Sequence, residues 1–106
     1  MTTRPKIRLS RLRDIGWSLW DPIGLLDEGE RWDGKPFADE YDGYLLRVAG
    51  MVRRGEPDEE IVEYLVQCEI EHMGLSMQPG ISDRAKLVID AIRDDRELWR
   101  EASTEN

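Results

Sequence analysis

The sequence predicts one all-α domain, a small compact bundle of about four helices with a long loop after the first helix. Apolar residues recur at the helical period of about 100° per residue in four separate stretches. Proline and glycine punctuate the intervals between those stretches. A chain of 106 residues, 40% of them hydrophobic, fits one core and hardly two. Its single cysteine cannot form an internal disulfide, so stability has to come from that apolar core.

The first helix is expected over residues 8–20, with Leu9, Leu12, Ile15, Gly16 and Leu19 on one side and Arg11, Arg13 and Asp14 elsewhere. It should end at Asp21, because Pro22 disfavours helical geometry in the residue before it. Residues 21–36 read DPIGLLDEGERWDGKP, with no sustained period, and so form a long irregular connection. Loops longer than about 12 residues tend to be functional or disordered. Trp32 within the acidic tract argues for a contact role. The competing reading is that Ile23, Leu25, Leu26 and Trp32 cover one end of the core.

The second helix is expected from Phe37 or Ala38 to Arg54, with Phe37, Tyr41, Tyr44, Leu45, Val48 and Val52 on one face. Arg53, Arg54 and Gly55 make a C-terminal signature, cations meeting the negative end of the dipole and glycine accepting a left-handed conformation. Pro57 followed by Asp58, Glu59 and Glu60 marks the start of a third helix. That helix is expected to run to Met73, about 25 Å, and to stop at Gly74. Ile61, Tyr64, Leu65, Cys68 and His72 form one stripe, with Val62, Val66, Ile70 and Met73 beside it, an arc wide enough for a central helix. After a Pro79-Gly80 loop, Ser82 or Asp83 can cap a fourth helix reaching Glu101. Its main stripe is Ala85, Val88, Ile89, Ile92 and Trp99, interrupted by Asp94 and Asp95, and a weaker stripe of Leu87, Ala91 and Leu98 faces elsewhere. The ends, residues 1–7 and 103–106, are expected to be flexible.

Charge narrows the function classes. The chain carries a net −8, yet the first 13 residues hold five basic and no acidic side chains (Arg4, Lys6, Arg8, Arg11 and Arg13). The rest therefore carries a net −13, which repels phosphate backbones and makes nucleic acid an unfavourable partner. A basic protein suits it better, although such charge also keeps a small domain soluble. No apolar run approaches the length of a membrane span, and the basic arm lacks the apolar region of a secretory signal, so cytoplasm is the default expectation.

Few residues point to chemistry. Glu69 falls inside the apolar arc of the third helix, where a carboxylate must be paired or hydrogen-bonded. It could accept from tyrosine, tryptophan or loop backbone groups, or it could act as an acid near His72. Cys68 and His72 are four apart, with Glu69 between them, which leaves open a metal site or a thiol nucleophile. The chain has no second cysteine or histidine, and the surroundings are acidic, which opposes both readings. The spacing of Asp27, Glu28, Glu30 and Asp33 lacks the ligand pattern of a calcium loop, and phosphate-binding loops and serine elbows are absent from the sequence. No cofactor is expected.

Three motifs carry a resemblance: Trp20-Asp21-Pro22-Ile23-Gly24, then Asp39-Glu40-Tyr41-Asp42-Gly43-Tyr44, then Ile70-Glu71-His72-Met73-Gly74-Leu75. Over residues 15–75 the chain resembles a group of small uncharacterised bacterial proteins of unknown function. The resemblance implies a small helical domain, similar in size and acidity to bacterial immunity proteins. In physical terms, Asp21 can accept turn N–H groups, Gly24 permits an unusual backbone angle and Trp20 supplies a large anchor.

The leading functional expectation is a non-catalytic protein-binding module, immunity-like or regulatory. It would dock a basic partner through Asp27, Glu28, Glu30, Trp32, Asp33, Asp39, Glu40 and Asp42. Trp20, Asp21, Pro22, Gly24 and Glu69 would be structural. The alternatives are a small enzyme or metal-binding protein using Glu69, Cys68 and His72, and a homodimer formed through Leu87, Ala91 and Leu98.

Overall fold

A computed structural model describes residues 7–27 and 29–99, excepting the side chain of Glu97. Helix α1 spans Leu9–Leu19, α2 Asp42–Arg53, α3 Asp58–Gln67 and α4 Ile81–Asp94. A π-helical turn, Cys68–His72, continues α3, and a short helix α5, Arg96–Trp99, follows α4. No strand occurs among the described residues, so the all-α bundle stands. Of the ends expected to be flexible, residues 1–6 and 103–106 lie outside the described residues, while Ile7 packs against the core.

The core follows the helical periods. Leu12, Leu45, Val48, Ile61, Leu65, Val88, Ile89 and Ile92 are fully buried, each worth about 1.5–3 kcal/mol of transfer free energy. Helices α2 and α4 each pack against the other three long helices, α4 most extensively, so α4 is the central helix, where the width of the apolar arc points to the third. Half-burial of Val62, Val66 and Ile70 explains the difference, because the second stripe of α3 runs along the margin of the bundle. Where α1 crosses α2, a Cβ on Gly16 would collide with the Leu45 side chain, so a hydrogen at that position lets the two helices approach closely.

Helix α2 begins four to five residues later than its periodicity suggests. Residues 37–41 form successive turns, with Glu40 N–H donating to Phe37 O at 2.9 Å and Asp42 N–H to Asp39 O at 3.1 Å. In a helix the Ala38 carbonyl would accept from Asp42 N–H, but the Trp17 indole holds it instead at 3.2 Å. Asp39 and Glu40 therefore precede the helix rather than open it. The C-terminus of α2 is a Schellman turn: Gly55 has φ +76°, with Gly55 N–H on Val52 O and Glu56 N–H on Met51 O.

The fourth helix also departs from expectation at both ends. It starts at the buried Ile81 after a left-handed Gly80, and neither Ser82 nor Asp83 caps it. It stops at Asp94 because Asp95 turns extended and its carboxylate accepts from Leu98 N–H at 3.1 Å, opening α5. Arg11 Nη2 holds the same carboxylate at 2.8 Å, and Arg8 N–H donates to Leu98 O at 3.0 Å. Leu98 is thereby fully buried against α1, so the stripe with Leu87 and Ala91 does not exist as one surface.

Candidate functional site

Two groups of side chains stand apart from routine packing. The first is built on the connection between α1 and α2. Asp21, with φ +25°, is the one described non-glycine residue at positive φ, and its carboxylate gathers the turn that follows. Oδ1 accepts from Leu25 N–H at 3.0 Å and from the Tyr41 hydroxyl at 2.9 Å, and Oδ2 accepts from Leu26 N–H at 3.2 Å. Ile23 N–H in turn donates to the Tyr41 oxygen at 3.1 Å. Burial pushes the fully enclosed Tyr41 phenol above its ordinary range, aided by Asp21 and opposed by the Ile23 N–H. These bonds, with Trp20 and Trp17 packed on the Tyr41 ring, fasten the connection to the bundle.

Beyond that knot lies the acidic tract. The Trp32 indole donates to Asp14 Oδ1 at 2.7 Å, and the Arg13 guanidinium lies 5.5 Å from the Trp32 ring centre. Arg13 also grips Asp42 through two bonds of 3.0 and 2.6 Å, tying α1 to the start of α2. Glu30 accepts from Lys35 at 2.7 Å and from Asp27 N–H at 3.1 Å, and the Lys35 bond first, then that N–H, hold its carboxyl below the usual range. Arg31 bonds Asp33 at 3.1 Å and reaches Asp14 at 3.5 Å. A cavity of about 180 Å³ lies among Asp14, Trp17, Ser18, Leu26, Glu30, Arg31 and Trp32.

The eight residues nominated for partner binding thus divide. Glu28 lies outside the described residues. Glu30, Asp33 and Asp42 are engaged by cations of the chain itself, and Trp32 is half-buried. Asp27, Asp39 and Glu40 are exposed and make no ion pair among the described residues. Asp14, Trp17 and Arg13, which the sequence reading left out of the site, join it because α1 forms its floor.

The second group centres on Glu69. A π turn adds one residue to the hydrogen-bonded ring, seen in Met73 N–H donating to Cys68 O at 3.0 Å, and Glu69 within that turn is only 2% exposed. The Trp20 indole donates to Oε2 at 2.8 Å and Arg84 Nη2 to Oε1 at 2.7 Å. Arg84 Nε is buried and has no partner among the described residues. A cavity of about 430 Å³ opens beside the pair, lined by Pro22, Gly74, Leu75, Ser76 and Gln78 as well as Glu69 and Arg84. Arg84 carried a signal in the sequence: a cation in the first turn of a helix opposes the dipole and needs a carboxylate nearby.

Cys68, Glu69 and His72 do not converge. Cys68 is buried beside Tyr64, and burial first raises its thiol above the ordinary range. Glu69 turns to Trp20 and Arg84, while His72 is exposed with its ring 6.2 Å from that of Tyr44. Among the described residues no cluster of three or more histidine, cysteine or acidic side chains is arranged to hold a metal ion. No described helix is long and apolar enough to cross a membrane. The chain matches no family model, no curated protein and no solved structure, so the site has to be read from its own chemistry.

Proposed function

We propose that the protein is a non-catalytic binding module, immunity-like or regulatory, that docks a basic protein partner through the face formed by α1 and the 21–41 connection. The observation that carries this reading is the small cavity between Trp17 and Trp32, with the Asp14 and Glu30 carboxylates at its rim. Aromatic faces and carboxylates together attract a lysine or arginine side chain. Arg31 already stands at that rim, 68% exposed and at the limit of bonding distance from Asp14, so an incoming cation displaces a weak contact. Asp27, Asp39 and Glu40, exposed along the 21–41 connection, then add negative charge that steers the encounter. Eight carboxylates against two cations between residues 21 and 42 extend that field.

The test is a titration with a hexa-arginine peptide, following the indole N–H resonances of Trp17 and Trp32 at low and moderate salt. Both signals should move, the affinity should fall as salt rises, and Asp27→Lys with Asp39→Lys and Glu40→Lys should abolish the effect. Unmoved indole signals, or undiminished binding by the triple variant, would remove the proposed surface.

A further inference from the structure

Four irregularities meet at the 430 Å³ cavity, three of them apart from the acidic face. Asp21 holds a strained backbone angle immediately before Pro22 at the cavity wall. The π turn brings Glu69 to the same wall, Arg84 meets it there as an ion pair whose carboxylate is buried, and the buried Nε of Arg84 lacks an acceptor among the described residues. Strained residues and π turns concentrate where a protein binds or reacts. A buried donor without an acceptor costs free energy that packing alone does not return.

The chemistry of the lining defines the ligand. Glu69 and Arg84 neutralise each other, so a full anion entering the cavity faces the Glu69 carboxylate and a full cation faces the Arg84 guanidinium. What remains is hydrogen-bonding capacity of both kinds. Arg84 uses one of its N–H groups on Glu69, and Gln78 and Ser76, both exposed, offer donors and acceptors. Each Glu69 oxygen keeps a lone pair beyond the bond it accepts. Pro22 and Leu75 contribute apolar wall. The volume is within the range of small-molecule sites.

We infer that this cavity binds a small neutral molecule presenting an amide edge, a C=O beside an N–H. The carbonyl would accept from Arg84 and Gln78, and the N–H would donate to Glu69. Two sources share that chemistry, simple carboxamides and the edges of nucleobases, and the probes separate them.

The experiment titrates ¹⁵N-labelled protein with nicotinamide, with uracil and, at matched ionic strength, with acetate, reading the Arg84 Nε–H and Trp20 indole N–H resonances. Nicotinamide or uracil should shift both resonances while acetate leaves them in place, and whichever amide binds more tightly names the source. Gln78→Ala with Ser76→Ala, two exposed positions outside the core, should weaken that binding about tenfold. The Asp27→Lys, Asp39→Lys, Glu40→Lys variant should bind the amide normally, which keeps this result separate from the protein-docking surface. Silence with both amides, binding of acetate in their place, or unchanged affinity in the Gln78 and Ser76 variant would overturn the assignment.

Discussion

The Trp20 indole donates to the Glu69 carboxylate at 2.8 Å across 49 residues of sequence, joining the end of α1 to the π turn after α3. Arg84, from the first turn of α4, holds the other oxygen at 2.7 Å. Three elements thus depend on one carboxylate that is 2% exposed.

Removing either side of this pair should be costly and unequally so. Arg84→Ala leaves a buried carboxylate without its cation and should destabilise the fold by about 3–4 kcal/mol. Glu69→Ala leaves a guanidinium whose side chain is 33% exposed and can turn toward water, so about 2–3 kcal/mol is expected. Trp20→Phe removes one buried donor and should cost about 1–2 kcal/mol. Urea midpoints of the single and paired variants check these values, and a coupling energy near zero between Glu69 and Arg84 would contradict the arrangement.

Stability should fall in alkali. Burial raises the phenols of Tyr41 and Tyr64 in the folded chain. The folded state therefore holds protons that the unfolded state releases above about pH 10. Their contribution is complete below that pH and is lost as pH climbs toward the folded values, at about 1.4 kcal/mol per pH unit for each phenol. Urea unfolding between pH 9 and 12 should show the decline, and Tyr41→Phe should reduce its slope by about half.

Leu98 and Leu87 should separate sharply although they share a short stretch of sequence. Leu98 is fully buried and Leu87 is 57% exposed. Leu98→Ala should cost about 2–5 kcal/mol, and Leu87→Ala should change stability by less than about 0.5 kcal/mol. Equal effects in thermal unfolding would mean that α5 is not docked as described.

The thiol of Cys68 should resist modification. It is 1% exposed and its titration is pushed up by burial, so little reactive thiolate forms at neutral pH. Reaction with Ellman's reagent should be slow in buffer and rapid in denaturant, and prompt reaction of the native chain would contradict the packing.

Much of the fold was legible because the core residues sit at helical spacing: Leu12 and Ile15, Leu45 and Val48, Ile61 and Leu65, Val88 and Ile92 are all buried. Glu69 was legible as an anomaly within an apolar arc. Arg84 stood out only as a cation in the first turn of a helix, and its pairing with Glu69 spans a π turn and a loop that periodicity does not register. The late start of α2 was hidden for a similar reason. Trp17 competes for the Ala38 carbonyl only once α1 is in place. The break at Asp95 depends on Arg11, 84 residues away. Local pattern specified which faces are apolar, and long-range polar bonds decided where the helices begin, end and bend.

The bond from Arg8 N–H to Leu98 O, beside the Arg11–Asp95 pair, closes the described chain into a near-ring of about 90 residues. Topologically, the order of the helices is then separable from their arrangement in space. Opening the ring at Gly34, where a Cβ would meet nothing, and joining Trp99 to Ile7 by a short linker gives a circular permutant. Every helix would keep its neighbours in such a chain, and only the acidic connection would be severed. The permuted protein would accordingly test whether that connection has to be continuous for the helices it packs against.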